Sequence, residues 1–288
     1  MKQGRPMWEK ASERPIGIFD SGLGGLSVLR MLRERLPLEN YIYFGDTARA
    51  PYGGRSGDEI RRFNIEIGGW LLARGCKMLV VACNTSTVLG GLAALKAETP
   101  IPVYGMMEAT LAGTLAIGEG AGGIAVPEEI WPIGFIATKG TVESGAYQAA
   151  FGDKAPGKPF YALACPDFVP LVEQGKTEGP DVDQAVHKYL AMMNDKKIRT
   201  LILGCTHYPF LVPAIVSFIG ENVRIVDPAV RLAHLVEGEL KKSDLLNDGA
   251  GDAHGAGEYW CSGDTGIFKA VGGIFMGSPI DEVRKQVF

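Results

Sequence analysis

The chain is poor in what a metal, membrane or nucleic-acid protein needs. Its five cysteines, Cys76, Cys83, Cys165, Cys205 and Cys261, are odd in number and widely spaced, with no CxxC pair. That pattern argues against a structural zinc site, and no metal is expected. No apolar run approaches the roughly 20 residues that span a bilayer. The opening MKQGRPMWEKAS lacks the apolar core of a signal peptide. Residues 1–13 are expected to be a tail, the protein cytoplasmic, and a membrane partner absent. Neither charge sign dominates: 29 Lys and Arg against 33 Asp and Glu leave a net charge of −4. So mild an acidic balance makes nucleic acid an unfavoured partner. In a reducing compartment disulfides do not persist. Each cysteine is then either packing or a reactive thiol.

What is present reads as alternating strands and helices. Hydrophobic residues at 46 % and charged residues at 22 % over 288 residues suit one large or two small globular domains. Apolar runs at 16–19, 41–44, 77–82 and 101–107 predict strands of a first α/β unit. Between the first two, Leu26, Leu29, Leu32 and Leu36 recur at helical spacing. Asp58 is placed to cap a helix whose inner face holds Ile60, Phe63, Ile67 and Trp70. A further helix is expected through Leu92 and Leu95. The pattern restarts with strands at 133–138, 160–164, 200–204 and 224–230, and helices around Tyr147 and over 181–193. Segments 116–132 and 245–258, rich in Gly, read as loops, with Trp131 the anchor of the first at the surface or a subunit contact. A last helix is expected in TGIFKAVGGIFM. Strands separated by helices imply parallel sheets covered on both faces, with ligands at the carboxyl ends of the strands.

Two stretches match across the halves. LVVACNT (79–85) and LILGCTH (201–207) each run an apolar strand into a small residue, a cysteine and two polar residues. Two facing α/β units would bring both thiols to one cleft. Inverting a carbon acid needs a base on one face of the carbon and an acid on the other. A thiol with pKa near 8.5, tuned by a helix start or a cation, suits that task. The carbanion then needs electrostatic support, and backbone N–H groups beyond each cysteine, with Asn84, Thr85 and Thr206, are placed to hold carboxylates. Free cysteines are otherwise mostly buried packing, which is the reading for Cys76 and Cys261. Cys165, followed by Pro166, reads as structural with a possible place on the cleft.

GIFDSGLGGLSVL, YFGDTARAPYG, ACNTST, GFIATKGTV and GCTHYPFL together resemble the glutamate racemases of the cofactor-independent aspartate/glutamate racemase superfamily. The resemblance runs in order from about residue 15 to 230. It implies two similar α/β domains with mainly parallel sheets, related by a pseudo-twofold, with the active site in the cleft between them. The domains would be 14–108 plus 223–288, and 109–222. It implies that Cys83 and Cys205 are the acid/base pair, with Cys83 deprotonating D-glutamate and Cys205 L-glutamate. Asp20 and Ser21 would sit at the cleft, Asp20 tuning a thiol or the amino group. Tyr52 and Gly53 would shape the pocket. Asn84, Thr85 and Thr206 would hold carboxylates and amino group, and Thr138 and Thr141 a further binding turn. His207 would assist Cys205 as proton partner, with Glu173 near the cleft. No cofactor is expected. The partners expected are glutamate and a second copy in a homodimer.

Plainer readings stand beside these. Asp20 lies where a helix N-cap belongs. Asp46 reads as structural. Arg49 and Arg55 read as solvated loop residues. His207 is as often a hydrogen-bonded structural group as a titrating one. His187, His234 and His254 have no motif around them. The glycines of DSGLGG fall short of a dinucleotide fingerprint, since Ser27 stands at its last position. Lys139 reads as part of a turn. Two alternatives to a glutamate racemase remain: a racemase or isomerase of another small acid such as aspartate, and a non-catalytic two-lobed anion-binding module. Within the resemblance CTHYP favours glutamate, because aspartate racemases tend to carry an acidic residue at the position of His207.

Overall fold

The computed structural model describes residues 10–115, 128–249 and 255–288. The strands are β1 (Ile16–Asp20), β2 (Tyr41–Gly45), β3 (Met78–Val81), β4 (Val103–Tyr104), β5 (Ile133–Ala137), β6 (Phe160–Ala164), β7 (Thr200–Gly204), β8 (Arg224–Val226), β9 (Gly257–Cys261) and β10 (Arg284–Lys285). They form two sheets, ordered β10-β9-β2-β1-β3-β4 and β6-β5-β7-β8. Every described pairing is parallel. Strands β1, β2, β3, β5 and β7 are buried at every residue, as helices on both faces require.

The helices are α1 (Leu26–Arg35), α2 (Gly57–Ala73), α3 (Asn84–Val88), α4 (Gly91–Glu98), α5 (Met106–Leu115), α6 (Lys139–Glu143), α7 (Ala146–Lys154), α8 (Phe168–Glu173), α9 (Pro180–Asp195), α10 (Val212–Ile219), α11 (Pro228–Lys242) and α12 (Thr265–Met276). Helix α11 packs against both α1 and α5. Leu29 on α1, Leu203 on β7 and Val236 on α11 belong to one continuous buried cluster. The two sheets therefore share a core behind the cleft rather than hanging on a linker. No described helix is long and apolar enough to cross a membrane.

Several expectations shift. Strand β8 pairs with β7, so 224–226 belongs to the second sheet and not to a first-unit segment starting at 223. We keep the two-domain division as a proposal, with the second crossing placed after β8. Ser56, not Asp58, caps α2, because a capping box with Glu59 satisfies both free N–H groups. Trp70 is half-buried on the inner face as expected: it packs against the sheet cluster that holds Ile67, tilted against Phe44 and edge-on to Trp260, while Ile60 and Phe63 join a second cluster with Tyr52 and Cys83. The helix through 84–95 is broken at Gly90, whose φ of 87° ends α3. Only Val103–Tyr104 of the 101–107 run is a strand, and α5 begins at Met106. Residues 11–13 form a 3-10 turn, whose Ser12 carbonyl accepts from Lys77 Nζ at 2.5 Å, so the tail is shorter than expected. Trp131, expected to anchor the 116–132 loop, is buried in one cluster with Phe135 and Tyr147. Residues 116–127 of its loop, and His254, lie outside the described residues.

Candidate active site

One cavity of about 240 Å³ opens where the carboxyl ends of β1, β3, β5 and β7 converge. Cys83 and Cys205 both line it, with Ser21, Tyr52 and Gly53 on the first unit and Thr138, Cys165 and Thr206 on the second. The strand-end placement puts both thiols beside helix starts, as the matching stretches required.

Cys83 follows β3 and is the N-cap of α3, accepting from the Ser86 N–H at 3.5 Å. It is 5 % exposed. Burial, reinforced by nearby Asp20, pushes its thiol up to about 12. It rests as a neutral thiol, a proton donor. Asp20, at the end of β1, is fully buried. Its Oδ2 accepts from the Gly25 N–H at 3.0 Å and from Thr206 Oγ1 at 3.3 Å. Its Oδ1 is buried with no hydrogen-bond partner among the described residues. Burial pushes this carboxyl up, against the lowering effect of His207. Asp20 is not the N-cap of α1, which is Gly25. It braces the turn from behind the cavity, whose lining includes Ser21 but not Asp20.

The surroundings of Cys205 differ. Its Sγ lies 3.6 Å from His207 Nδ1, and His207 Nε2 lies 2.6 Å from Glu173 Oε1. Glu173 Oε1 also accepts from the Leu23 N–H at 2.9 Å. Burial of His207 opposes its charge, but hydrogen bonds with Cys205 and Glu173 outweigh it and hold the imidazole well above its ordinary value. Burial likewise works to raise Glu173, and its bond with His207 prevails, so the carboxyl lies below the usual range. The result is a carboxylate–imidazolium–sulfur chain. One thiol thus sits against a carboxyl and the other against a cation, an asymmetry that suits an acid and a base.

Hydroxyl and amide groups ring the rest. Thr85 Oγ1 lies 2.9 Å from Thr138 Oγ1 and 3.2 Å from Thr141 Oγ1, and those two are 3.0 Å apart. Asn84 Oδ1 accepts from Tyr147 Oη at 2.5 Å, and Asn84 Nδ2 has no hydrogen-bond partner among the described residues. Tyr52 lines the cavity with its ring, because its hydroxyl is bound to Asp46 Oδ2. Asp46 also accepts from Arg49 Nε at 2.6 Å and Ser262 Oγ at 2.7 Å, so it is a structural hub. Arg49 is not a solvated steering residue: it pairs with Asp46 and Glu66 and lies over the Phe63 ring. Arg55 Nη2 donates to the Arg49 carbonyl at 3.0 Å. Lys139, 67 % exposed in its side chain, lies at the mouth and pairs loosely with Glu143.

The glycines of DSGLGG serve close approach. A Cβ on Gly22 would meet Glu173 Oε1 at 2.3 Å, and one on Gly24 would meet His207 Nδ1 at 2.3 Å. The first unit's turn therefore lies directly on the second unit's proton chain. Tyr147 is the site neighbour that sequence reasoning missed, read only as a helix marker. Its bond to Asn84 crosses 63 positions, and no local pattern announces it.

A family model described as Asp/Glu/Hydantoin racemase matches residues 25–236. The chain is 41 % identical over 270 residues to the glutamate racemase of Thermoanaerobacter sp. (strain X514), covering 94 % of this chain and 96 % of that relative. Among solved structures it is similar to glutamate racemase from Francisella tularensis subsp. tularensis SCHU S4 in complex with D-glutamate, at a TM-score of 0.82 and 30 % identity, covering 96 % of this chain and 98 % of that one. It is also similar to glutamate racemase from Thermus thermophilus in complex with β-chloro-D-alanine, at a TM-score of 0.79 and 40 % identity, covering 97 % and 99 %.

Proposed function

This chain belongs to the Asp/Glu/Hydantoin racemase family, and we propose from that premise that Cys83 and Cys205 exchange the α-proton of glutamate from opposite sides. The activity is the interconversion of L- and D-glutamate, with D-glutamate serving peptidoglycan synthesis. The observation that carries the two-thiol assignment is that both sulfurs line one small cavity in unlike electrostatic settings.

From L-glutamate, Cys205 as thiolate takes the α-proton while the Cα–H electron pair delocalises into the carboxylate. Cys83 then donates its S–H proton to the opposite face. The C–H bond broken on one side is replaced on the other, and the roles reverse from D-glutamate. His207, held by Glu173, passes a proton to and from Cys205. Asp20, buried behind the cavity wall, helps keep the Cys83 thiol protonated. Asn84, Thr85, Thr138, Thr141 and Thr206 hold the carboxylates, with Ser21 and the Tyr52–Gly53 turn closing the pocket. Hydrogen-bond donors fixed on a carboxylate stabilise the charge that develops on it. No cofactor enters this scheme.

Incubation with L-glutamate in D2O, followed by NMR, tests the reading. The wild type should replace the α-proton with deuterium and build up D-glutamate. Cys83→Ala and Cys205→Ala should each lose about 10²–10⁴-fold in racemisation. Near-full turnover by either variant overturns the two-base assignment. Faster labelling of aspartate than glutamate assigns the enzyme to another acid, and no labelling at all leaves an anion-binding module. A homodimer in the cytoplasm completes the proposal, and Ile267 and Ile274, 59 % and 65 % exposed two turns apart on α12, offer an apolar face to a second copy.

A further inference from the structure

We infer that Tyr147 is a positioning residue for substrate binding: its hydroxyl, reaching across from the second unit, sets the Asn84 amide so that the NH2 group faces the cavity. The inference rests on the glutamate reading above and deepens it.

An asparagine amide has nearly the same shape in its two flipped orientations, so only hydrogen bonding separates them. A cavity that receives carboxylates needs the NH2 group inward. The opposite orientation points a carbonyl oxygen at a carboxylate, which repels it. Asn84 is 3 % exposed and lines the cavity. Its Oδ1 is occupied by Tyr147 Oη at 2.5 Å, and its buried Nδ2 has no hydrogen-bond partner among the described residues. Burial pushes the Tyr147 phenol up, so it keeps its proton and stays a donor. The proton that the phenol donates across this contact needs an acceptor, which of the two amide atoms only the oxygen can be. The ring is itself immobile: Tyr147 is fully buried, with its centroid 4.5 Å from that of Phe135. Asn84 opens α3 on the first unit and Tyr147 lies on α7 of the second. The donor is therefore aimed only when the two units are docked.

The experiment is a double-mutant cycle on kcat/KM, with kcat and KM separated by following α-proton exchange in D2O at glutamate concentrations below and above KM. Tyr147→Phe keeps the ring and frees the amide. It should raise KM about tenfold, the worth of one buried hydrogen bond, and leave kcat within about twofold. In an Asn84→Ala background the same change should have no effect on kcat/KM, because there is no amide left to orient. A merely structural tyrosine would lower the melting temperature and act equally in both backgrounds, and that outcome overturns the inference. So does an unchanged KM. If Tyr147→Phe does not fold, Asn84→Asp puts the question from the other side. It keeps an acceptor for Tyr147 but presents an oxygen to the cavity, so kcat/KM should fall more than tenfold, and wild-type values overturn the inference. A wild type that labels glutamate while these variants are insensitive refutes only the role of Tyr147. A wild type that labels nothing refutes the functional reading.

Discussion

At the residue scale the consequential group is Glu173. Its carboxylate does not touch the cavity thiols, yet it holds the imidazole that does. Glu173→Gln removes that anchor, so His207 should lose its proton at lower pH and the alkaline limb of kcat/KM should move acidward. The fall in kcat/KM should be the same from L- and D-glutamate, because the enantiomers have equal free energy and share one transition-state barrier from free enzyme and substrate. Stability follows from the same shifts. The lowered Glu173 contributes above its unfolded value near 4.5 and loses that contribution as pH falls through its folded value. The raised His207 contributes fully below its unfolded value near 6.5 and loses it as pH rises through its folded value. The melting difference between wild type and Glu173→Gln should therefore be greatest between these two values, about 1.5–3 kcal/mol for a bond between charged groups, and shrink on both sides. A difference that is flat with pH would show that the pair is not ionised. The sequence made His207 an even choice between structure and chemistry. Its position two residues after Cys205 was legible, but the carboxylate that decides its charge lies 34 positions away.

At the element scale the turn after β1 decides how closely the units approach. Gly24→Ala would place a methyl group 2.3 Å from His207 Nδ1 and 2.6 Å from Thr206 Oγ1. Neither partner can retreat without leaving its hydrogen bonds, so the ring must shift. A displacement near 1 Å can cost about 10²-fold in rate, and kcat/KM should fall by that order. Gly69→Ala is the comparison. It lies within α2 with nothing within 4 Å of its added Cβ, and should stabilise by about 0.5–1 kcal/mol with activity unchanged. Thermal melting and kinetics of both variants check the pair, and equal activity of Gly24→Ala would remove the close-approach account. The glycine run was visible as an unfinished dinucleotide fingerprint. Its purpose was not visible, because the atoms it makes room for belong to another unit.

At the scale of the whole molecule the two sheets meet behind the cleft in one buried cluster and leave one cavity in front of it. The exposed isoleucines of α12 lie on the outer surface, and sedimentation equilibrium should give twice the chain mass. A monomer at micromolar concentration would remove the dimer from the proposal. The sequence by itself determined the alternation of strands and helices and the placing of a cysteine at the end of β3 and of β7. Apolar runs ended by small and polar residues are local signals, and a strand followed by a helix gives a parallel sheet whatever lies elsewhere. Tertiary structure alone decided which strand joined which sheet: the three residues of β8 carry too little pattern to choose between two parallel edges. It alone decided the unlike settings of the two thiols as well. The reach of Glu173 to His207 exists only once the second unit has folded, and the grip of Tyr147 on Asn84 only once the two units have docked.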